Sequence, residues 1–124
     1  MKVHSVEIIG TDVDAQTRCA HYNSEIDIIA IKFKCCGKWF PCFKCHAGHT
    51  NHSAEVWSVE ESDTLAILCG ICGYQLAISE YFKCASVCPK CFSNFNPGCA
   101  NHYHLYFEDG GTRTLVRLNQ KSYQ

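Results

Sequence analysis

Four cysteines and three histidines fall within residues 33–52, FKCCGKWFPCFKCHAGHTNH. Thiols and imidazoles at that density have four chemical uses: a redox centre, a disulfide staple, a nucleophile with its base, or a metal cage. C-x-x-C recurs three times in the chain, at Cys42/Cys45, Cys69/Cys72 and Cys88/Cys91. Two residues between thiolates let both sulfurs of one tight turn face the same tetrahedral ion at about 2.3 Å each. One such pair is a weak signal, because redox motifs share the spacing. Two of them on turns a short strand pair apart, Cys69/Cys72 and Cys88/Cys91, make a zinc-ribbon arrangement. The glycines of CGICG let that backbone fold tightly and turn its amides toward the sulfurs.

The first half offers eight further candidates: Cys19 and His21, Cys35 and Cys36, Cys42 and Cys45, then His46 and His52. They suffice for two four-coordinate sites. C-x-H places two side chains on one side of an extended strand, within reach of one ion. Neighbours such as Cys45 and His46 tend to point apart and suit different ions, so the two sites are expected to interleave.

Eleven cysteines are an odd number, so a fully paired disulfide set within one chain is impossible. The opening MKVHSVEIIG lacks the apolar run of a signal peptide, and the longest apolar stretches are too short to span a bilayer. A reducing, cytoplasmic location is expected, where clustered cysteines point to metal. Of 124 residues 47% are hydrophobic, but leaving out cysteine lowers this to roughly 38%, a thin supply for a core. A single domain over 1–124 that uses metal as a staple follows.

The elements that must position these ligands are short. Strands are expected over 6–9, over 27–34, where Ile29, Ile31 and Phe33 alternate with Ala30, Lys32 and Lys34, over 65–68 and 74–78, and over 104–107. A turn at 109–111 is expected to lead to a hairpin arm over 112–118, and the last six residues read as frayed. His46, His49 and His52 recur at a spacing that a helix would put on one face. The acidic turn at 60–63 reads as a solvated connector between a lobe over 19–57, with two sites, and a lobe over 64–118, with one. The expected class is a small, metal-stabilised, irregular α+β fold of short antiparallel strands and cysteine knuckles, with a zinc-ribbon-like second lobe.

C-A-H-Y at 19–22, Cys35-Cys36, CFKCH with a further histidine six residues on, and two C-x-x-C pairs together resemble the CHY-type zinc finger. FNPGCANHYHLYFE at 95–108 is similar to the continuation in stand-alone and bacterial members. The resemblance implies three zinc ions, with Cys19, His21, Cys35, Cys36, Cys42, Cys45, His46, His52, Cys69, Cys72, Cys88 and Cys91 as ligands. The preferred partition is Cys19, His21, Cys42, Cys45 for one ion, Cys35, Cys36, His46, His52 for a second, and Cys69, Cys72, Cys88, Cys91 for the third. The first two sets could exchange members. Some family members sit beside a RING finger in ubiquitin ligases; no RING-like remainder stands here, so that activity is not carried over. Others resemble a small helper of protein assembly in the mitochondrial intermembrane space, an alternative location if this chain is of that kind.

Several groups are left over. Cys84 and Cys99 read as buried apolar cysteines, although Cys99 with His102 forms C-x-x-H. His49 reads as solvated or supporting a ligand, His4 as exposed, and Trp39, Phe40, Phe43 and Trp57 as packing over the metal sites. Closed four-ligand zinc quenches its thiolates, and no H-E-x-x-H or H-x-E motif supplies a general base, so no enzyme activity is expected. Around Zn²⁺ the three ligand sets carry −1, 0 and −2, which with the formal −1 leaves the loaded chain at about −4, without the basic stripe of a duplex binder. The leading expectation is a structural zinc module binding a protein partner, with no nucleic acid, membrane or small-molecule substrate. The alternative is a zinc- and thiol-handling accessory of redox protein folding or assembly.

Overall fold

β-branched residues in alternation make strand β3, Ile29–Lys32, and its neighbours complete a sheet around it. The computed structural model describes residues 1–108, with the side chains of 99–101 left out. The expected turn at 109–111, the hairpin arm at 112–118, the frayed end and the Cys99 side chain lie outside what is described. β3 pairs antiparallel with β4, Trp39–Phe40, on one side and with β5, Leu65–Cys69, on the other. β6, Gln75–Ala77, pairs with β5, so the order is β4-β3-β5-β6. The registers Ile31↔Phe40 and Ala30↔Leu68 join the two halves of the chain in one sheet.

Both faces of this sheet are covered. The main core gathers Ile29, Ile31, Phe33, Phe40, Ile67 and Leu76 with Tyr81, Phe95, Tyr106 and Phe107. A smaller cluster of Val3, Ile8, Ala30 and Leu68 buries the other face. The alternation over 27–34 predicts Ala30 on an open face; it is fully buried instead. Its cover is the N-terminal hairpin of β1, Lys2–Val3, and β2, Val6–Glu7, whose turn residues His4 and Ser5 both have positive φ. Ile8 bridges to Trp39, and the Ile9 amide donates to the Trp39 carbonyl at 2.9 Å. The strand expected over 6–9 therefore ends as a strap along the sheet edge.

Helix α1, Phe43–His49, follows β4 and is capped by Cys42, whose sulfur accepts the Cys45 amide. Helix α2, Ile78–Lys83, follows β6. Between β5 and α1, the 3-10 turn Val59–Glu61 replaces the acidic loop, held by Glu61 on the Ser58 amide and by Lys34 on Glu61, each 2.8 Å. The strand expected over 104–107 is absent: a 3-10 run occupies Pro97–Leu105, started by Pro97 and by Asn96 on the Gly98 amide. Proline at the first helical position and the asparagine cap override the apolar run that followed. Only Phe107 then bridges, to Trp57. Among the described residues no helix is long and apolar enough to cross a membrane.

Gly70 shows how tightly the N-terminal segment fits against the second half. A Cβ there would meet the Gln16 carbonyl oxygen, with the carbonyl carbon 2.6 Å and Thr17 Oγ1 2.8 Å away. Backbone cannot yield as a side-chain tip can. Gly70→Ala should therefore lower the stability of the metal-loaded protein by about 1–3 kcal/mol, read as a drop in the thermal midpoint.

Candidate metal centre

β5 delivers Cys69 into a tight turn, and Cys72 follows before β6. Gly73, at φ +83°, returns its amide to the Cys69 carbonyl at 2.9 Å. After α2 the chain repeats this turn: Phe92, at φ +65°, returns its amide to the Cys88 carbonyl at 2.9 Å, and Val87 bridges to Asn94. The two knuckles face each other, with Cys69 Sγ 3.8 Å from Cys91 Sγ and Cys72 Sγ 3.7 Å from Cys88 Sγ. Ligands at zinc distances in a tetrahedron would stand apart by about 3.8 Å for two sulfurs, 3.5 Å for sulfur and nitrogen, and 3.4 Å for two nitrogens.

A second set forms where α1 begins. Cys19 Sγ lies 3.7 Å from Cys42 Sγ, and His21 Nδ1 lies 3.7, 3.5 and 3.4 Å from the sulfurs of Cys19, Cys42 and Cys45. Cys19 and His21 sit on a loop, not on the extended strand that C-x-H suggested; the Cys19 amide bonds to the Tyr22 carbonyl and curls the chain around the histidine. Gly10 passes so close that a Cβ would lie 2.9 Å from Cys45 Sγ.

The third set uses the other side of α1. Cys35 Sγ stands 3.2 Å from both His46 Nε2 and His52 Nε2, the two nitrogens are 3.3 Å apart, and Cys36 Sγ is 3.9 Å from Cys35 Sγ. Gly37, at φ +68°, closes the turn that makes these adjacent cysteines converge. Phe33 stacks on the His46 ring at 4.3 Å and 8°, and Phe40 meets it edge-on. Cys45 and His46, neighbours in sequence, thus face different sets.

In each set the four donor atoms lie within 4.8 Å of one another. The pair distances given above match a tetrahedral shell to within a few tenths of an ångström. The donors are thiols and imidazoles without carboxylate, which suits zinc rather than calcium or magnesium. Without a cation the surroundings hold most of these donors in their neutral forms. Burial pushes the Cys45, Cys35, Cys72 and Cys69 thiols up. The bond to Cys19 drives Cys42 up and Cys19 down to about 5. Burial opposes ionisation of Cys91, yet the Ser93 hydroxyl and amide bring it down to about 6. Burial, and repulsion from His52, hold His46 below the ordinary imidazole range. A dication would reverse these penalties by holding all four donors deprotonated.

Residues 19–103 match the model of the CHY zinc finger. The chain belongs to that family. It is 43% identical over 105 residues to Helper of Tim protein 13 of Saccharomyces cerevisiae, spanning 82% of this chain and 90% of the relative. The Kluyveromyces lactis protein of the same name is 34% identical, over 85% and 91%. An uncharacterised protein of Schizosaccharomyces pombe is 36% identical, over 85% and 92%. No solved structure matches. This CHY finger is a zinc-binding module whose three clusters can each hold one ion, consistent with three zinc ions per chain.

The leftover groups divide. Cys84 is half-buried and donates to the Tyr81 carbonyl at 3.2 Å, outside every cluster. His49 bonds to Thr11 Oγ1, and His102 packs against Tyr22 and Phe43. Phe40 is buried over His46, while Trp39 belongs to the smaller cluster and Trp57 donates to the Lys32 carbonyl. Beyond a strand over 6–9 and an exposed His4, residues 1–18 carry no sequence signal of a part in the site. Yet Thr11 turns its amide to the Cys45 sulfur, and His4 covers Gly73 and bonds to the Gly70 carbonyl at 2.9 Å. None of these is a cysteine or part of a ligand spacing, so no local signal marks them.

Cys72→Ser replaces a soft thiolate and should lower the metal content from three zinc ions to two, whereas Cys84→Ser keeps all three, because its hydroxyl can still reach the Tyr81 carbonyl, and costs about 1 kcal/mol or less. Elemental analysis of the two proteins decides this. Phe92 is 73% exposed and holds the conformation that glycine takes at Gly73 and Gly37. Since a left-handed residue costs roughly 1–2 kcal/mol and little burial is at stake, Phe92→Gly should raise stability by about 1 kcal/mol in a chemical denaturation curve.

Proposed function

We propose that this CHY finger is a non-catalytic zinc module that assists the assembly of other proteins by binding them, and that Cys19, His21, Cys42 and Cys45, then Cys35, Cys36, His46 and His52, then Cys69, Cys72, Cys88 and Cys91 hold its three ions. The observation that carries the reading is that every cluster supplies four donors. Four donors fill a tetrahedral shell and leave no position for a reacting water or substrate. The relatives named Helper of Tim protein support a helper role toward protein clients, and with it a place in the mitochondrial intermembrane space. The low net charge, formally −1 before metal, supports a protein partner over nucleic acid. Exposed apolar side chains, Phe92 foremost and then Leu65 and Val59, offer contacts to such a partner.

A second reading, zinc and thiol handling in redox folding, is favoured by one feature. Within the Cys35, Cys36, His46, His52 set only His46 is buried.

Structural zinc contributes on the order of 10–16 kcal/mol per site, as much as or more than the net stability of a whole domain. Stripping zinc under reducing conditions should abolish the cooperative melt. Affinity capture from the native compartment with loaded and stripped protein then tests the helper role: specific partners should be retained by the loaded form alone. Identical capture by both forms, or a stripped protein that still melts cooperatively, would refute the reading.

A further inference from the structure

The three clusters differ in how firmly the chain encloses them. Around Cys19, Cys42 and Cys45 all three sulfurs are buried, and amides of His21, Tyr22, Cys45 and Thr11 point at them. Its one exposed ligand, His21, lies on a loop that Arg18 braces through the Ser24 and Glu25 carbonyls at 2.7 and 2.9 Å. Around Cys69 and Cys88, both fully buried, and the half-buried Cys72 and Cys91, amides of Ile71, Cys72, Tyr74 and Ser93 serve the sulfurs, and no ligand of this set is exposed.

The Cys35, Cys36, His46, His52 cluster is open by comparison. Cys35 and Cys36 are half-buried and His52 is exposed. His52 hangs on residues 51–56, all exposed and outside any helix or strand. That segment is held by a long 3.4 Å bond from the Thr50 hydroxyl to the His52 carbonyl and by the Glu55 amide on Cys35. A cavity of about 280 Å³ is lined by Cys36 and His52 together with Lys38, His49, Thr50 and Asn51. With two thiolates and two imidazoles, this set also places the least negative charge around a dication, and so holds it least strongly.

We infer that this cluster is the exchange port of the protein, where zinc is passed to or from an anionic thiol carrier, while the other two sets retain structural ions. The inference rests on the reading that each cluster holds zinc. His52 is the ligand placed to detach, because its segment can open without disturbing the sheet or α1. It leaves as a neutral imidazole while one carrier thiolate takes its place. One bond forms for one broken, and no electron is transferred. Lys38, an exposed residue of the cavity lining, favours a carrier with negative charge, and the cavity gives the incoming sulfur its path.

The protein loaded with an NMR-active cadmium isotope tests this, since the metal's shift reports how many of its donors are sulfur. Three resonances are expected, for four, three and two sulfurs. Excess NMR-silent cadmium with glutathione as the anionic carrier should erase the two-sulfur resonance at least about tenfold faster than the others, the ratio expected when one segment opens locally and the rest does not. Lys38→Glu, which touches no ligand, should slow glutathione-driven exchange several-fold and leave exchange driven by the neutral dithiol dithiothreitol unchanged. Equal decay of all three resonances, or first loss from the four-sulfur site, would overturn the port. Equal slowing with both thiols would remove Lys38 from it. Fewer than three resonances at saturation would instead overturn the three-site reading beneath it.

Discussion

Four thiols and imidazoles whose donor atoms lie within 4.8 Å of one another cannot all be ionised or lone-pair donors in a buried place unless a cation sits among them. That constraint organises the protein. Burial and mutual repulsion raise most of the thiols, so the same packing that closes the core keeps these thiols protonated until a cation displaces the protons. The backbone amides turned toward the sulfurs lower the cost of keeping them as thiolates. Metal and fold are therefore linked in one equilibrium.

Helix α1 is the mechanical link between two of the clusters. Its cap is Cys42, its first turn holds Cys45 and His46, and these two face different sets. A helix turns about 100° per residue, so neighbouring side chains diverge by enough to serve two ions from seven residues. The sheet plays the same part for the third set. β5 carries Cys69 beside β3, and the N-terminal segment, through Gly10, Thr11 and Gln16, packs against Cys45 in the first half and against Gly70, next to Cys69, in the second. The ligand sets are thus supported by elements that contain no ligand.

Enclosure is uneven, and this divides labour among chemically similar sites. Where amides, buried sulfurs and braced loops surround a set, ligand detachment requires opening the core. Where a ligand sits on an exposed, weakly bonded segment, as His52 does, detachment is local. Phe92 carries a related tension, since an exposed aromatic occupies a left-handed turn position that glycine fills in the other two knuckle-like turns. Strain retained at a surface aromatic fits a contact role better than a packing role.

The grouping of the candidate donors was legible in the sequence because metal coordination demands particular atoms at short spacings: C-x-x-C, C-x-H and the pairs around α1 are local geometry written in residue types. The core strands were legible for the same kind of reason, since β3 and β5 follow an apolar alternation or run. Three features were decided only by tertiary structure. Ala30 is buried because a hairpin distant in sequence folds over it. The segment at 104–107 is not a strand because Pro97 and Asn96 start a 3-10 run whose continuation depends on packing against Tyr81 and Phe82. The difference in exposure between chemically similar clusters depends on which ligands are braced from afar, as Thr11 braces Cys45. Spacing specifies which atoms can share an ion; only the assembled chain determines how much of that ion's shell remains reachable from water.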